Sequence, residues 1–274
     1  DNYGVDSTSR DDSLGQAVVT EIESATRRLA ATLGSRTSRH QRPSTAGVLL
    51  WGPPGCGRTD AAHAVARRLR DDTNVCACVV TVDCAKIPVG DPRPAIAALR
   101  HVAKAARKLS PAVVVLDDLD VLAGADTTDT GNENQVTHAM IVGEALGDLI
   151  DATAGEGMVA WIATARSPAR VSKPVLVAGR LDHLGELTAP DANDGRAQRL
   201  QATATQRGTP VANDVNLQTI TKNTDGFARR DLDLLVERAA AAAAARQFAG
   251  DEQLPGNLEK LTATLETSDL LHAK

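Results

Sequence analysis

The sequence predicts an α/β fold in which a parallel β-sheet forms the middle layer of an αβα sandwich, followed by a small α-helical lid subdomain. Short apolar runs alternate with helical patterns, and a glycine-rich turn joins the first apolar run to a helix. From Pro190 onward the strand patterns stop and only helical patterns remain. Alternating strands and helices favour a parallel sheet that binds its ligand at the carboxyl ends of the strands. We therefore expect a disordered segment at 1–12, a large α/β subdomain at 13–189 and a helical lid at 190–274.

Five short runs carry the apolar and β-branched residues that are typical of buried strands. The predicted strands are Gly47–Trp51, Val75–Asp83, Ala112–Asp118, Met158–Thr164 and Leu181–Leu187. Because side chains alternate along a strand, Cys76 and Cys78 are expected to share one face of the second one.

Helices are predicted where apolar residues recur at a spacing of three or four. In chain order the predicted helices are Leu14–Leu33, Asp60–Arg70, Pro92–Leu109, Gln135–Ala152, Arg229–Gln247 and a last one near Leu258–Leu271. A polar linker is expected between the first helix and the first strand, and a flexible loop over 123–133.

The composition argues against several classes of protein. The net charge of −5 and the isoelectric point near 5.7 argue against a nucleic-acid-binding face, which would need a basic stripe. No apolar run approaches the length of about 18 residues that a membrane-spanning helix needs. The 4 cysteines lack paired C-x-x-C spacing, so we expect reduced thiols in an intracellular protein and no zinc cluster. Because the first residue is Asp rather than Met, we expect a fragment of a longer chain.

The glycine-rich turn is a phosphate-binding loop with one altered position. Its residues are Gly52, Pro53, Pro54, Gly55, Cys56, Gly57, Arg58 and Thr59, and Asp60 follows in the helix. The pattern is G-x-x-x-x-G-K-[ST], in which arginine here replaces lysine. Between a strand and a helix, the backbone N–H groups of such a loop and the helix N-terminus converge on an anion. We therefore predict a bound nucleoside triphosphate, with the Thr59 hydroxyl on Mg²⁺; the alternative is a glycine-rich turn without a ligand.

The third predicted strand ends in two carboxylates, Asp117 and Asp118. An acid that a hydrophobic strand delivers beside a phosphate loop can hold the metal, so we expect Asp117 to bind Mg²⁺ through water. We expect Asp118 to orient the attacking water. The alternative is a core strand that runs into an Asp-rich solvated loop, since Asp120 follows.

These motifs together resemble one module of the AAA-type ATPases, over roughly residues 14 to 272. The Gly-Pro-Pro-Gly loop, the Leu-Asp-Asp-Leu-Asp strand end and the stretch Thr224–Leu232 carry the resemblance. It implies the P-loop NTPase fold, ATP and Mg²⁺. Within the family, the chain most resembles the first ATPase module of the peroxin-1 type of peroxisome biogenesis ATPases. The stretches that support this are Val82–Lys86, Ser110–Gly124 and Gly226–Asp231.

Three positions depart from the family pattern at the predicted catalytic centre. Arg58 stands where the family's lysine contacts the phosphates, and its longer, planar guanidinium cannot place a compact ammonium there. Asp118 is one methylene shorter than the glutamate of many relatives. Ala165 replaces a polar sensor asparagine and cannot hydrogen-bond the γ-phosphate or water. We therefore expect weakened nucleotide binding and little hydrolysis.

Two further arginines receive roles from the resemblance. Arg180 matches one of two arginines that reach the nucleotide of a neighbouring subunit, and the other is lost near Val177. Its alternative is a solvated surface arginine. Arg230 is expected to approach the phosphates from the lid, or else to be an ordinary residue at a helix N-terminus.

The resemblance implies a cytoplasmic ATPase that is peripherally associated with the peroxisomal membrane. It would form a hexameric ring with a partner peroxin ATPase and extract ubiquitinated import receptors. This module would bind ATP mainly to build the ring, and the segment Ile87–Gly90 has no aromatic residue with which to grip a threaded polypeptide. Two alternatives stay open: a nucleotide-free scaffold in which Arg58 fills the phosphate site, and another AAA remodeller of the membrane-fusion or cell-division type.

Overall fold

The computed structural model describes residues 16–34, 47–124, 133–156, 158–188, 193–209, 211, 217–250 and 270. The chain divides into two compact units. The α/β unit is Thr20–Leu187, and the helical unit is Thr188–Lys274 together with Asp1–Val19. The predicted disordered segment at 1–12, most of the predicted loop at 123–133 and all of the predicted last helix except Leu270 lie outside the described residues.

A five-stranded parallel sheet forms the centre of the α/β unit. The strands are β1 Gly47–Trp51, β2 Cys78–Asp83, β3 Ala112–Asp117, β4 Val159–Ala165 and β5 His183–Glu186. Their order across the sheet is β2-β3-β4-β1-β5. Parallel pairing places the carboxyl ends of all five strands at one edge of the sheet. The predicted αβα fold with a parallel sheet is therefore confirmed.

The predicted start of the second strand is wrong. β2 begins at Cys78, and Cys76 lies before it with a positive φ of 49°. The Cys76 N–H donates to the Asp72 carbonyl, which holds this residue in a turn after the preceding helix. Cys76 and Cys78 therefore do not share a face of one strand.

The helices of the described residues are α1 Gln16–Gly34, α2 Arg58–Asp71, α3 Pro92–Lys108, α4 Leu119–Leu122, α5 Glu133–Glu156, α6 Asn193–Gln206, α7 Leu217–Asn223 and α8 Arg229–Gly250. The predicted bounds of α1, α2, α3, α5 and α8 agree with these to within four residues, whereas no bounds were predicted for α4, α6 and α7. Asp91 caps α3 by accepting the N–H of Arg93, and Pro92 occupies a first-turn position where no N–H is needed. None of the helices in this part of the chain is long and apolar enough to cross a membrane.

Helices cover both faces of the sheet. Val114 and Leu116 of β3 belong to the core that α3 and α5 complete, through residues such as Leu99 and Leu146. The alternate residues of β3 are also fully buried. Helix α2 contacts the strands β1, β2, β3 and β4. A strand buried on both faces is continuously apolar, which is why β3 consists of Ala, Val and Leu up to its terminal Asp117.

The helical unit has its own core, built from α6, α7 and α8. Leu200, Ile220 and Leu235 are among its buried residues. A buried arginine, Arg199, binds Asp233 through two nitrogens at 2.6 and 2.8 Å and so joins α6 to α8. A paired charge of this kind tolerates burial because both partners are satisfied.

Candidate functional site

The phosphate-binding loop leaves the carboxyl end of β1 as a tight turn. The Gly52 N–H donates to the Ala165 carbonyl at 3.3 Å, which ties the loop to the neighbouring strand β4. A Cβ on Gly52 would collide with the Leu187 carbonyl oxygen. Gly55 and Gly57 have φ values of 80° and 94°, in the left-handed region where glycine is unstrained. The glycines are thus required by the path of the loop itself.

The loop ends at the N-terminus of α2. Gly57 precedes the helix in a left-handed conformation, and no side chain caps the first turn. The first N–H groups of a helix have no partner within the helix, and the helix dipole adds a partial positive charge there. Pro53 and Pro54 are exposed, whereas the Cys56 side chain is buried beneath the loop. This local geometry suits an anion such as a phosphate group.

The predicted metal ligands meet at the carboxyl edge of the sheet. The Thr59 hydroxyl lies 3.0 and 3.1 Å from the two carboxylate oxygens of Asp117. Hydroxyl and carboxylate oxygens are the hard donors that Mg²⁺ prefers, and Mg²⁺ keeps several waters when few protein ligands are offered. The donor set therefore fits a magnesium ion.

Thr164 of β4 contacts the Asp117 carboxylate and the Asp118 backbone, and it is absent from the sequence-based set. Its hydroxyl donates to the Asp117 carboxylate at 2.6 Å and accepts the backbone N–H of Asp118 at 2.8 Å. Asp118 itself has a positive φ of 51°, so the chain turns sharply directly after the strand. The side chains of Asp117 and Asp118 consequently have different partners.

The Arg58 guanidinium binds within its own site. Nη1 donates to the Gly52 carbonyl at 3.0 Å, and Nη2 forms an ion pair with Asp118 Oδ1 at 3.3 Å. The Arg58 side chain is only 12% exposed, against 37% for Asp118. The cation that was predicted to contact phosphates is thus engaged by the carboxylate that was predicted to orient water.

The electrostatic environment raises the pKa of groups around this acidic edge. Partial burial and the neighbouring charge of Asp117 raise the pKa of Asp118 above its usual range, and Arg58 opposes this shift. Burial, followed by the charges of Asp117 and other nearby aspartates, raises the pKa of the Cys84 thiol to about 12. The Asp120 side chain is buried, and its carboxylate lies 3.7 Å from the Arg166 guanidinium. The site therefore carries an excess of negative charge that favours cations.

Ala165 ends β4 beside the loop and is fully buried. Its carbonyl accepts the Gly52 N–H, but its methyl side chain offers no polar group to the site. The position expected for a polar sensor therefore contributes only through its backbone.

Arg180 is engaged by groups of its own chain. Its guanidinium binds the Asp151 carboxylate of α5 at 2.6 to 3.1 Å and donates to the Pro174 carbonyl at 2.6 Å. It lies against Gly147, where a Cβ would collide with it. A solvated surface arginine does not describe this residue, whose side chain is 17% exposed. Its predicted contact with a neighbouring subunit stays a prediction.

Arg230 belongs to the helical unit, as the second residue of α8, and is exposed. The adjacent helix start is capped by Asp231, whose carboxylate accepts the Ala228 N–H at 2.9 Å. The approach of Arg230 to bound phosphates stays a prediction.

Comparison with known proteins gives relatives with several different tasks. Residues 48–188, just over half of the chain, match the "ATPase family associated with various cellular activities (AAA)". The ATP-dependent zinc metalloprotease FtsH of Hahella chejuensis is 31% identical over 201 residues, which cover 72% of this chain and 30% of that protein. The proteasome-activating nucleotidase of Methanocaldococcus jannaschii is 32% identical over 196 residues, 70% of this chain and 42% of the relative. The ribosome biogenesis ATPase RIX7 of Saccharomyces cerevisiae is 29% identical over 216 residues, which cover 78% of this chain and 24% of that protein.

The chain therefore spans between about a quarter and two fifths of the length of these relatives. They support the AAA family, and they do not support the peroxin-1 type in particular. The family match covers β1 through β5, including the phosphate loop, the Asp117–Thr59 pair and the parallel sheet that brings them together. On this sequence match and this geometry, the chain belongs to the AAA family of ATPases.

Proposed function

We propose that this chain is the ATP-binding module of a hexameric protein-remodelling ATPase, and that it binds ATP mainly for ring assembly and hydrolyses it slowly. Family membership supports a nucleotide ligand, and two of the relatives are named as ATP-dependent or as a nucleotidase. Proteases and proteasome activators act on proteins, which supports a polypeptide as the ultimate substrate.

Each part of the site has a definite task in this proposal. The loop N–H groups and the α2 N-terminus hold the phosphates, and Gly52 leaves room for the backbone to approach. Thr59 and Asp117 hold Mg²⁺, and Thr164 fixes the orientation of the Asp117 carboxylate. Bound Mg²⁺ would neutralise part of the phosphate charge. Asp118 orients water only when its carboxylate is not engaged by Arg58.

The Arg58–Asp118 ion pair carries the proposal of weak activity. Phosphates would draw the guanidinium away from Asp118 and from the Gly52 carbonyl, so binding must first break two existing contacts. While the pair is intact, the acid is partly neutralised and the cation is unavailable. A hydrogen bond to a charged group contributes about 1.5 to 3 kcal/mol in favourable cases and less when it is exposed. This cost lowers ATP affinity.

The test is equilibrium dialysis with labelled ATP and Mg²⁺, together with a turnover assay, on the full chain and on Arg58→Lys. The shorter lysine should release Asp118 and reach the phosphates, so both affinity and turnover should rise by about tenfold or more. Arg67→Lys on the same helix is the matched control and should change neither quantity. If Arg58→Lys leaves both unchanged, the proposed role of Arg58 is wrong.

The same contacts favour a second candidate, a scaffold that binds no nucleotide. The guanidinium already donates to a loop carbonyl and is paired with an acid, as it would be if it replaced the phosphate group. Dialysis separates the two candidates. Absence of ATP binding to the wild-type chain at millimolar nucleotide would favour the scaffold, and saturable binding would favour the weak ATPase.

For the whole protein we propose the role in peroxisome biogenesis: a cytoplasmic hetero-hexamer with a partner peroxin ATPase that extracts ubiquitinated import receptors at the peroxisomal membrane. Its support is the sequence of Val82–Lys86, Ser110–Gly124 and Gly226–Asp231. The relatives named above have other tasks, and another AAA remodeller of the membrane-fusion or cell-division type is the alternative.

Affinity isolation of the tagged full-length protein from its cell of origin tests this assignment. Co-isolation of a second ATPase and of ubiquitinated import receptors is the expected result. Their absence, with a membrane-fusion or cell-division protein in their place, would favour the alternative.

A further inference from the structure

A basic groove lies between α3 and α5, away from the phosphate loop. It has a volume of about 580 Å³. Four cationic side chains of α3 line it, Arg100, Lys104, Arg107 and Lys108. The groove is further lined by Ala103, Leu149, Ala152 and Thr153, so cations along one side adjoin a largely apolar floor.

The charges form a stripe along one helix. Positions 100, 104, 107 and 108 follow the spacing of one helical face. The helix contains no acidic residue, although the whole chain has a net charge of −5. Within the described part of the chain, Arg100, Lys104 and Lys108 form no ion pair. Among the described residues, nothing therefore neutralises the charges of Arg100, Lys104 and Lys108.

Ordinary stabilisation of the helix accounts for only part of the stripe. Arg107 and Lys108 lie in the last turn, where cations interact favourably with the helix dipole. The dipole effect fades within one turn, so it gives no reason for Arg100 and Lys104. Arg100 and Lys104 are exposed, so their charges are available to a ligand with negative charge.

The floor of the groove determines what kind of anion fits. Thr153, its one neutral polar side chain, donates to carbonyls of its own helix and accepts the Trp161 indole N–H, so its hydroxyl is already used. Leu149 is partly buried and Ala152 is exposed, which offers apolar contact without directed hydrogen bonds. The stripe from 100 to 108 extends roughly 12 Å along the helix axis. These features match a partner helix with acidic residues on one side and small apolar residues facing the floor.

We propose that the groove between α3 and α5 binds an acidic amphipathic helix of another polypeptide. A nucleic acid fits less well, because its phosphate backbone offers no small apolar face to set against Leu149 and Ala152. A flat anionic membrane surface cannot enter a groove between two helices. The acidic helix would lie at the amino edge of the sheet, since α3 and α5 lead directly into the starts of β3 and β4.

The probe is a fluorescein-labelled synthetic peptide of about 14 residues, four helical turns, with Glu on one face and Ala and Leu on the other. Fluorescence anisotropy with the full chain measures its affinity at low and high salt. Saturable binding is expected with the Glu peptide, and a peptide with Gln in place of Glu should bind at least about tenfold more weakly.

Variants of the chain test the site itself. The triple variant Arg100→Gln, Lys104→Gln, Lys108→Gln should lose about tenfold or more in affinity. The matched control Arg70→Gln, Lys173→Gln, Lys222→Gln makes the same change in net charge at exposed positions and should stay within about twofold. Ala152→Phe fills the exposed mouth of the groove without changing charge and should also weaken binding, by about fivefold or more.

The proposal is overturned if the control triple variant weakens binding as much as the groove variant. It is also overturned if Ala152→Phe binds the peptide as tightly as wild type, because the site would then be a charged surface and not a groove. Tighter binding of phosphatidylserine vesicles or of a short DNA duplex than of the peptide would identify a different class of partner.

Discussion

Arg58 shows how one substitution changes the chemistry of a phosphate-binding loop. A lysine in this position would carry a compact charge on a flexible stem, whereas arginine carries a planar fork with several donors. Here the fork contacts the Gly52 carbonyl and the Asp118 carboxylate simultaneously, and the side chain is largely buried. The positive charge of the lysine is thus retained, but it is engaged by the Gly52 carbonyl and the Asp118 carboxylate.

Asp118 provides a test of this arrangement through pH. Its raised pKa means that the folded state binds a proton more tightly than the unfolded chain does. The contribution of this group to stability is therefore fully present below its ordinary pKa of about 4 and is lost as the pH rises through the folded value. Removing the titrating group should remove this loss.

We expect Asp118→Asn to gain stability relative to wild type when the pH is raised from about 4 to 7. Asparagine is the suitable substitution because it tolerates the left-handed backbone of this residue. Screening makes the effect small, since the Asp118 side chain is 37% exposed. Urea unfolding across this pH range measures it, with Asp148→Asn as the exposed control. A difference that shrinks with rising pH would mean that the acid is stabilised, and not strained, by its surroundings.

Among the elements, the carboxyl ends of β3 and β4 form the rigid platform for the predicted metal ligands. Thr164 is fully buried and links the Asp117 side chain to the Asp118 backbone. Thr164→Val keeps the shape of the side chain but removes the hydroxyl that contacts the Asp117 carboxylate and the Asp118 N–H. It should therefore lower the free energy of unfolding by about 1 to 3 kcal/mol. Thr164→Ser keeps the hydroxyl and should recover part of that loss. Urea denaturation of both variants measures the difference, and equal stabilities would show that the hydroxyl is dispensable.

Helix α5 holds Arg180 through one of two acidic residues. Asp151 lies 2.6 Å from the guanidinium, whereas Asp148 lies 3.8 Å away and is 82% exposed. Asp151→Ala should therefore reduce the free energy of unfolding by about 1 kcal/mol, and Asp148→Ala by less than about 0.5 kcal/mol. Chemical denaturation compares the two. Equal effects would mean that the bidentate geometry adds nothing to a nonspecific attraction.

The elements were predictable from sequence where burial and turn chemistry agree. β1 matches its predicted bounds because an apolar run there meets the glycine turn directly. The start of β2 was mispredicted because Val75 and Ala77 are buried in the connection before the strand, and apolar spacing cannot distinguish this from a strand. When β3 and β4 are paired in parallel with Leu116 opposite Ala163, the next residues, Asp117 and Thr164, lie side by side. This pairing is the signal that could have identified Thr164. The pairing of Arg58 with Asp118 could not be predicted, because the two residues are 60 positions apart in the sequence and the contact depends on the conformation of the Arg58 side chain.

At the scale of the whole molecule, two features of the α/β unit lie at opposite edges of the sheet. The phosphate loop and the two aspartates follow the carboxyl ends of strands, whereas the cationic stripe of α3 leads into the amino end of β3. A bound nucleotide and a partner in the groove would therefore not compete for space. The chain as a whole has a net negative charge, although this face of α3 carries positive charge.

The central claim is that pairing between Arg58 and Asp118 limits ATP binding. A double-mutant cycle of ATP affinity tests it most directly, with wild type, Asp118→Asn, Arg58→Ala and the double variant measured by calorimetry in the presence of Mg²⁺. The pairing predicts that Asp118→Asn strengthens ATP binding more when Arg58 is present, with a coupling of about 1 kcal/mol, or roughly fivefold. Additive effects of the two substitutions would contradict the account.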